Sequence, residues 1–321
     1  MSYNFDPEFR DLISLIPAAD FSDVEGSRQG IEAMLADING ALDTSGLDIE
    51  DRMIPGLEND PALAVRIYLP KQRSGTTGAL LYIHGGGFVV GSLDSEHAGV
   101  CNFANDLGVP IVSVDYRLAP EATYPEPVND CYAALLWLHA HTEEFDIDPE
   151  RIAIIGLSAG AGLSASTALR AKSEGGPAIC HQFLGIPELD DRLQTPSMTQ
   201  FVDTPLWNRP NAIVSWEFYL SPRFNPGADN VPVEAAPARA RADDVKGLPP
   251  TFISAMEFDP LRDEAIYYAL TLLEAGIPVE LHVYPGTFHG SSLFTEAAVS
   301  KRQQNDLIGA LRRALAIPAK E

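Results

Sequence analysis

Gly156-Leu157-Ser158-Ala159-Gly160 sets a serine between two glycines, directly after the apolar run Arg151–Ile155. A serine hydroxyl becomes a nucleophile when a neighbouring base takes its proton, and a tight strand-to-helix turn is where it can stand clear of the backbone. Such a turn strains the serine dihedrals, and bulky side chains two residues to either side would collide. The pattern alone is weak, because a glycine-rich turn can also serve only to pack helix on strand. The buried-type strand before it and the small-residue run Ala161-Gly162-Leu163-Ser164 after it favour a nucleophile.

A second glycine cluster, His84-Gly85-Gly86-Gly87-Phe88, follows the strand-like run Ala79–Ile83. Without Cβ atoms its backbone N–H groups are unshielded and can hold the oxyanion of a tetrahedral intermediate. A flexible turn or a phosphate loop are the other readings, but neither GxxxxGK[ST] nor GxGxxG is present. His84 is expected to hold this loop through hydrogen bonds.

The serine needs a base, and the base an orienting carboxylate. His289, in Tyr284-Pro285-Gly286-Thr287-Phe288-His289-Gly290, falls just past the run Val279–Tyr284, at a strand carboxyl end where ligands meet a parallel sheet. His282 lies inside that strand, His139 and His141 end a helix, His181 has no context, and His97 is a second choice to face the pocket. Asp259 follows the run Thr251–Met256, and Pro260 suits the start of the next helix. Glu257 and Asp263 are rivals, although Asp263 and Glu264 suit a helix first turn. The order Ser158, Asp259, His289 is the one expected of an α/β-hydrolase.

The elements that must position these groups alternate. Strand-like runs at Ala64–Leu69, Ala79–Ile83, Pro110–Val114, Arg151–Gly156, Gln182–Ile186, Thr251–Met256 and Val279–Tyr284 are separated by helical patterns near 94–108, 126–141, 159–174, 262–275 and 296–316. That rhythm predicts an α/β fold with a mostly parallel central sheet and helices on both faces. Residues 1–50 carry helical spacing (Phe9, Leu12, Ile13, Leu15 and Ile16, then Ile31, Met34, Leu35 and Ile38) and are expected to be amphipathic helices. Residues 188–247 hold prolines, Trp207 and Trp216 but few strand signals, which suits a cap insertion. The expected division is 1–50 cap helices, 51–187 core, 188–225 cap insertion and 226–321 core.

The chain has 321 residues, 45% of them hydrophobic, and a formal net charge of −23. So acidic a surface repels nucleic acid and anionic membrane. Three cysteines without CxxC spacing argue against a disulfide framework. No apolar stretch reaches the roughly 18 residues of a membrane span, and the first residues lack the basic head and apolar run of a signal peptide. A cytoplasmic protein is expected.

From about residue 50 onward the chain resembles the hormone-sensitive-lipase-like carboxylesterases, bacterial family IV. His84–Phe88 matches their HGGG motif and Gly156–Gly160 their nucleophile elbow. Asp115-Tyr116-Arg117-Leu118-Ala119-Pro120-Glu121 is similar to a further, structural signature. Leu189-Asp190-Asp191-Arg192 and Trp207-Asn208-Arg209 resemble segments that recur between elbow and acid. Asp259-Pro260-Leu261-Arg262-Asp263-Glu264 and Phe288-His289-Gly290 match the acid and base motifs.

The resemblance implies an eight-stranded sheet with a helical cap, no cofactor or metal, and often a homodimer. It also implies oxyanion N–H groups from Gly86, Gly87 and Ala159, with Gly85 shaping the turn. Short- to medium-chain carboxylic esters are the expected substrates, with Phe88, Leu157, Phe201 and Trp207 as pocket residues and Trp216 as cap core. Leu157 departs from the family, which usually carries Asp or Thr there. Amides, lactones and acetylated sugars are alternatives served by the same three groups. A non-catalytic receptor of the plant gibberellin type, which lacks the histidine, and a lyase resembling the isoflavanone dehydratases are remote ones.

Overall fold

The computed structural model describes residues 3–14, 16, 20–73 and 75–318. Leu15, named above as part of an amphipathic face, lies outside them, as do the side chains of Met34 and Ile38. The strands are β1 (Leu47–Ile54), β2 (Leu63–Pro70), β3 (Thr77–Ile83), β4 (Ile111–Val114), β5 (Ile147–Leu157), β6 (His181–Gly185), β7 (Thr251–Phe258) and β8 (Val279–Phe288). The helices are α1 (Arg10–Ile13), α2 (Val24–Gly40), α3 (His97–Leu107), α4 (Glu126–Ala140), α5 (Ala159–Glu174), α6 (Pro196–Gln200), α7 (Arg209–Leu220), α8 (Ala242–Val245), α9 (Arg262–Glu274) and α10 (Ala298–Ala314).

The sheet order is β1-β2-β4-β3-β5-β6-β7-β8; β2 runs antiparallel to β1 and β4, and every other neighbouring pair is parallel. The central strands are continuous apolar runs because helices cover both faces. Leu81, Ile83, Val112 and Ile154 join one core with α4 and α7, whereas Leu80, Tyr82, Ile111 and Ile155 join another with α3 and α10. The alternation is the two-residue period of a strand.

Strand β1 is a correction to the division at residue 50, since it begins at Leu47. It is an edge strand carrying Asp48, Glu50, Asp51 and Arg52, charges that discourage further pairing and hide its strand character. Residues 226–250 contain no strand, so the sheet resumes only at Thr251.

The N-terminal residues pack against β8, the edge strand at the opposite end of the sheet from β1. Asp6 N–H donates to the Gly286 carbonyl at 2.8 Å, and Phe5 and Phe9 meet Phe288 edge-on at 5.3 and 5.5 Å. Glu8 accepts from Ala298 N–H, the first residue of α10, at 2.6 Å. Farther on, Arg28 of α2 donates to the carbonyls of Val89 and Ala119 at 2.9 and 3.0 Å and pairs with Glu121 at 2.8 Å.

Register decides where chemistry can occur. Ile83 lies beside Gly156, Leu157 beside Gly185, and Phe258 beside Phe288. The residues that follow these strand ends, His84, Ser158 and Asp259, therefore emerge at one edge of the sheet together with His289.

Candidate active site

Ser158 occupies the turn from β5 into α5 with φ 54° and ψ −121°, a conformation that costs a non-glycine residue about 1–3 kcal/mol. Its surroundings tolerate no bulk. A Cβ on Gly156 would lie 2.2 Å from the Gly160 carbonyl, and one on Gly160 would lie 2.2 Å from the Ile83 carbonyl. The elbow is pinned by Ser158 N–H to Gly185 O at 2.8 Å and by Glu188 N–H to Ser158 O at 3.1 Å.

The structure brings together the serine, imidazole and carboxylate that lie far apart in the chain. His289 Nε2 is 3.0 Å from Ser158 Oγ, and His289 Nδ1 is 2.8 Å from Asp259 Oδ2. With the Nδ1 proton on the Asp259 side, Nε2 is left to accept from the serine hydroxyl. Ser158 and His289 keep 7% of their surface exposed and Asp259 only 1%, so water screens the three poorly. Asp259 Oδ1 also accepts from Leu261 N–H at 2.9 Å.

The rival carboxylates are otherwise engaged. Glu257 accepts from Gly286 N–H at 2.7 Å, and Asp263 accepts from Ser197 N–H at 2.7 Å and Arg262 Nε at 2.8 Å. The other histidines lie apart. His97 meets the Tyr68 hydroxyl at 2.9 Å, His282 sits beside Glu280 at 3.0 Å, and His141 caps its own helix through the Trp137 carbonyl at 2.7 Å.

Gly86 has φ 116°, which a side chain would strain, and Gly87 and Phe88 also turn left-handed. Among the described residues, no acceptor is found for the N–H groups of Gly86, Gly87 and Ala159. Gly85 N–H instead goes to the Glu96 carboxyl. His84 Nδ1 bonds the Gly85 carbonyl at 2.8 Å, and the ring stacks on Tyr116 at 4.1 Å. Arg117 braces the next segment on Asp130 at 2.7 Å.

The four residues named for a pocket divide. Trp207 flanks the site: its ring centre is 5.7 Å from that of His289, and its edge would lie 2.7 Å from a Cβ on Gly87. Phe21 closes on the same indole edge-on at 5.2 Å. Phe88 is fully buried and stacks on Tyr219 at 4.1 Å, with Trp216 also in that core. Phe201 packs among Tyr3 and Phe258 with Arg262 over its ring. Leu157 faces the opposite way, lining a small cavity with Phe183, Gly185, Phe252 and Leu307. For Phe88 and Phe201 the aromatic bulk serves packing, and strand alternation turns Leu157 from the serine side. A larger cavity, about 550 Å³, lies elsewhere, between Arg28, Gly91, Ser92, Asp115 and Glu121.

Glu188 was not singled out from sequence, because a lone glutamate in a proline-rich insertion carries no motif. It is wholly buried, three residues past β6, and its carboxyl reaches Ser215 at 2.9 Å. Burial pushes it up to about 8, against the Ser215 hydrogen bond and with the Asp259 charge adding. Burial lifts Glu96 to about 7 and holds Glu264 well above the carboxylate range, while it pushes His84 and His181 down to about 4.

These shifts set a stability slope. Between the unfolded carboxyl value near 4.5 and the raised folded values, the native protein binds more protons than the unfolded chain, so stability falls as pH rises. The buried histidines act oppositely, but only below their unfolded value of 6.5. Thermal unfolding in low-salt buffer is therefore expected to show the midpoint falling from pH 6.5 to 8.5. A midpoint that stayed level or rose across that window would contradict it.

The alpha/beta hydrolase fold family matches residues 80–293. Carboxylesterase NlhH of Mycobacterium tuberculosis is 37% identical over 279 residues, 84% of this chain and 83% of that protein. Ethyl acetate hydrolase of Pseudomonas putida is 35% identical over 239 residues, 71% and 70% of the two chains. The solved structure of a bacterial heroin esterase is 50% identical, with a TM-score of 0.94 over 97% of this chain and 98% of that one.

Proposed function

Since this chain belongs to the hormone-sensitive-lipase-like carboxylesterases of the alpha/beta hydrolase fold, we propose that Ser158, His289 and Asp259 are its catalytic triad. The observation that carries this is the unbroken hydrogen-bonded line from Asp259 Oδ2 to Ser158 Oγ, at 2.8 and 3.0 Å. His289 takes the hydroxyl proton as Ser158 Oγ attacks the ester carbonyl, and Asp259 fixes the tautomer and stabilises the imidazolium. The N–H groups of Gly86, Gly87 and Ala159, which have no other acceptor among the described residues, receive the oxyanion. His289 then hands the proton to the leaving alcohol, and water repeats the sequence on the acyl-enzyme.

The substrate is a small carboxylic ester with a short to medium acyl chain. Supporting this is the roof over the site: Trp207 beside His289 and Gly87, with Phe21 behind it. A relative named for the hydrolysis of ethyl acetate agrees. The N-terminal helices and the 188–225 segment together act as the cap, meeting at the Phe21–Trp207 contact.

The test is fluorophosphonate labelling followed by initial rates on esters of increasing acyl length, with amides, lactones and acetylated sugars in parallel. Ser158 is expected to carry the label, with kcat/KM highest for short acyl esters. Trp207→Ala should raise the longer-chain esters relative to acetate by about tenfold, since a pocket wall discriminates on that scale. Preference for emulsified long-chain fats, or for amides, would refute the substrate assignment.

A further inference from the structure

We propose that Glu188 is a positioning residue that works as a neutral hydrogen-bond donor, holding the glycine loop against the nucleophile elbow through Ser215. It rests on the reading of Ser158 as nucleophile and of the glycine loop as oxyanion site.

Three segments meet on this one residue. Its backbone N–H donates to the Ser158 carbonyl at 3.1 Å, tying it to the elbow. Its own carbonyl presses on α5, where a Cβ on Gly162 would lie 2.2 Å away. Its side-chain Oε1 lies 2.9 Å from Ser215 Oγ on α7, and Ser215 Oγ lies 2.9 Å from the Gly87 carbonyl. Glu188, Ser215 and the Gly87 carbonyl thus form a line from the elbow to the loop.

A proton count fixes the direction of that line. A hydroxyl has one proton; a carbonyl oxygen and an ionised carboxylate can only accept. With Glu188 ionised, Ser215 would face two acceptors with a single proton, and one of its two 2.9 Å contacts would set lone pair against lone pair. With Glu188 protonated, the acid donates to Ser215 and Ser215 donates to Gly87, so both contacts are satisfied. The surroundings favour the neutral acid. The titratable groups that bear on it are Asp259 after β7, Glu264 on α9 and Tyr116 after β4, with no cation among them. Asp190 lies in its own loop beside Glu264, and His289 stands beyond Asp259. Glu188 Oε2 has no partner among the described residues, as suits the uncharged form in a buried place.

Raising the pH through about 8 ionises Glu188. The Ser215 proton then turns to the carboxylate, the Gly87 peptide loses its donor, and a second negative charge arises beside Asp259. The glycine loop slackens where the oxyanion must be received, which lowers kcat more than it raises KM.

The experiment is a rate profile from pH 6 to 10 on a short-chain ester, comparing the wild type with Glu188→Gln, Ser215→Ala and Ser158→Ala, each first checked by thermal unfolding. Wild-type kcat should fall above pH 8 by on the order of tenfold, less than the 10²–10³ of losing an oxyanion donor outright. Glu188→Gln should hold the pH 7 rate within about threefold and remove this alkaline limb, because its amide N–H still donates to Ser215 and cannot ionise. Ser215→Ala should be slower than the wild type at pH 6–7 and approach it at the alkaline end, where the wild type has lost the same bond to Gly87. A wild-type profile flat to pH 10, or an unchanged limb in Glu188→Gln, would overturn the proposal. Activity surviving in Ser158→Ala would instead overturn the nucleophile itself.

Discussion

Replacement of Ser158 by alanine is expected to lower kcat for ester hydrolysis by about 10⁶ and to abolish fluorophosphonate labelling. The effect is that large because, among the described residues, it is the Ser158 hydroxyl that meets His289 Nε2. Ser164 and Ser166 follow on the same helix, but each donates back to a carbonyl one turn earlier, at 2.8 and 3.0 Å. The Ser158 hydroxyl spends its proton on His289 and gives its helix no side-chain cap. Removing it should therefore leave the fold in place, with thermal unfolding changed by less than about 1 kcal/mol. Steady-state rates with a circular-dichroism melt decide the matter. A folded Ser158→Ala protein within a hundredfold of wild type would mean that another group attacks the ester.

The second large effect should come from Asp259→Asn, a loss of about 10³–10⁴ in kcat with KM little changed. An asparagine keeps the shape and can still accept from Leu261 N–H, now 2.9 Å from Oδ1. Its amide, however, can present a donor to His289 Nδ1, favouring the tautomer whose Nε2 carries the proton and cannot accept from Ser158. It also removes the charge that balances the imidazolium. Asp263→Asn is the control: its carboxylate anchors Ser197 N–H and Arg262, so it should lower stability while sparing kcat in the folded protein. If Asp259→Asn kept the wild-type rate, the orienting acid would have to be sought elsewhere.

The core strands could be read from the sequence because they are buried on both faces, and a continuous apolar run is hard to mistake. Strand β1 could not, since its charged edge imitates a loop. The convergence of Ser158, Asp259 and His289 was legible for a geometric reason: each follows a strand carboxyl end, and a parallel sheet gathers those ends along one side. Pocket residues were less legible. Aromatic type alone did not separate Trp207, which flanks His289, from Phe88 and Phe201, which fill cores. Nor did local pattern hint at Glu188 and Ser215, whose relation spans 27 positions, or at Arg28, which reaches carbonyls 61 and 91 residues away. Such pairings depend on how an insertion folds over the sheet, and short-range periodicity carries no record of that.

The turn at Pro7–Phe9 has a bearing on how this esterase can be handled. Asp6 is bonded to Gly286, and Phe5 and Phe9 wedge against Phe288, the residue beside the catalytic base in our reading. The imidazole thus takes its bearing partly from residues some 280 positions upstream. A cut or a bulky insertion between Phe5 and Phe9 would reach the His289 ring through two phenyl rings and one amide bond. For anyone attaching a tag or an immobilisation linker, the segment from Phe5 to Phe9 is part of the engine rather than a handle.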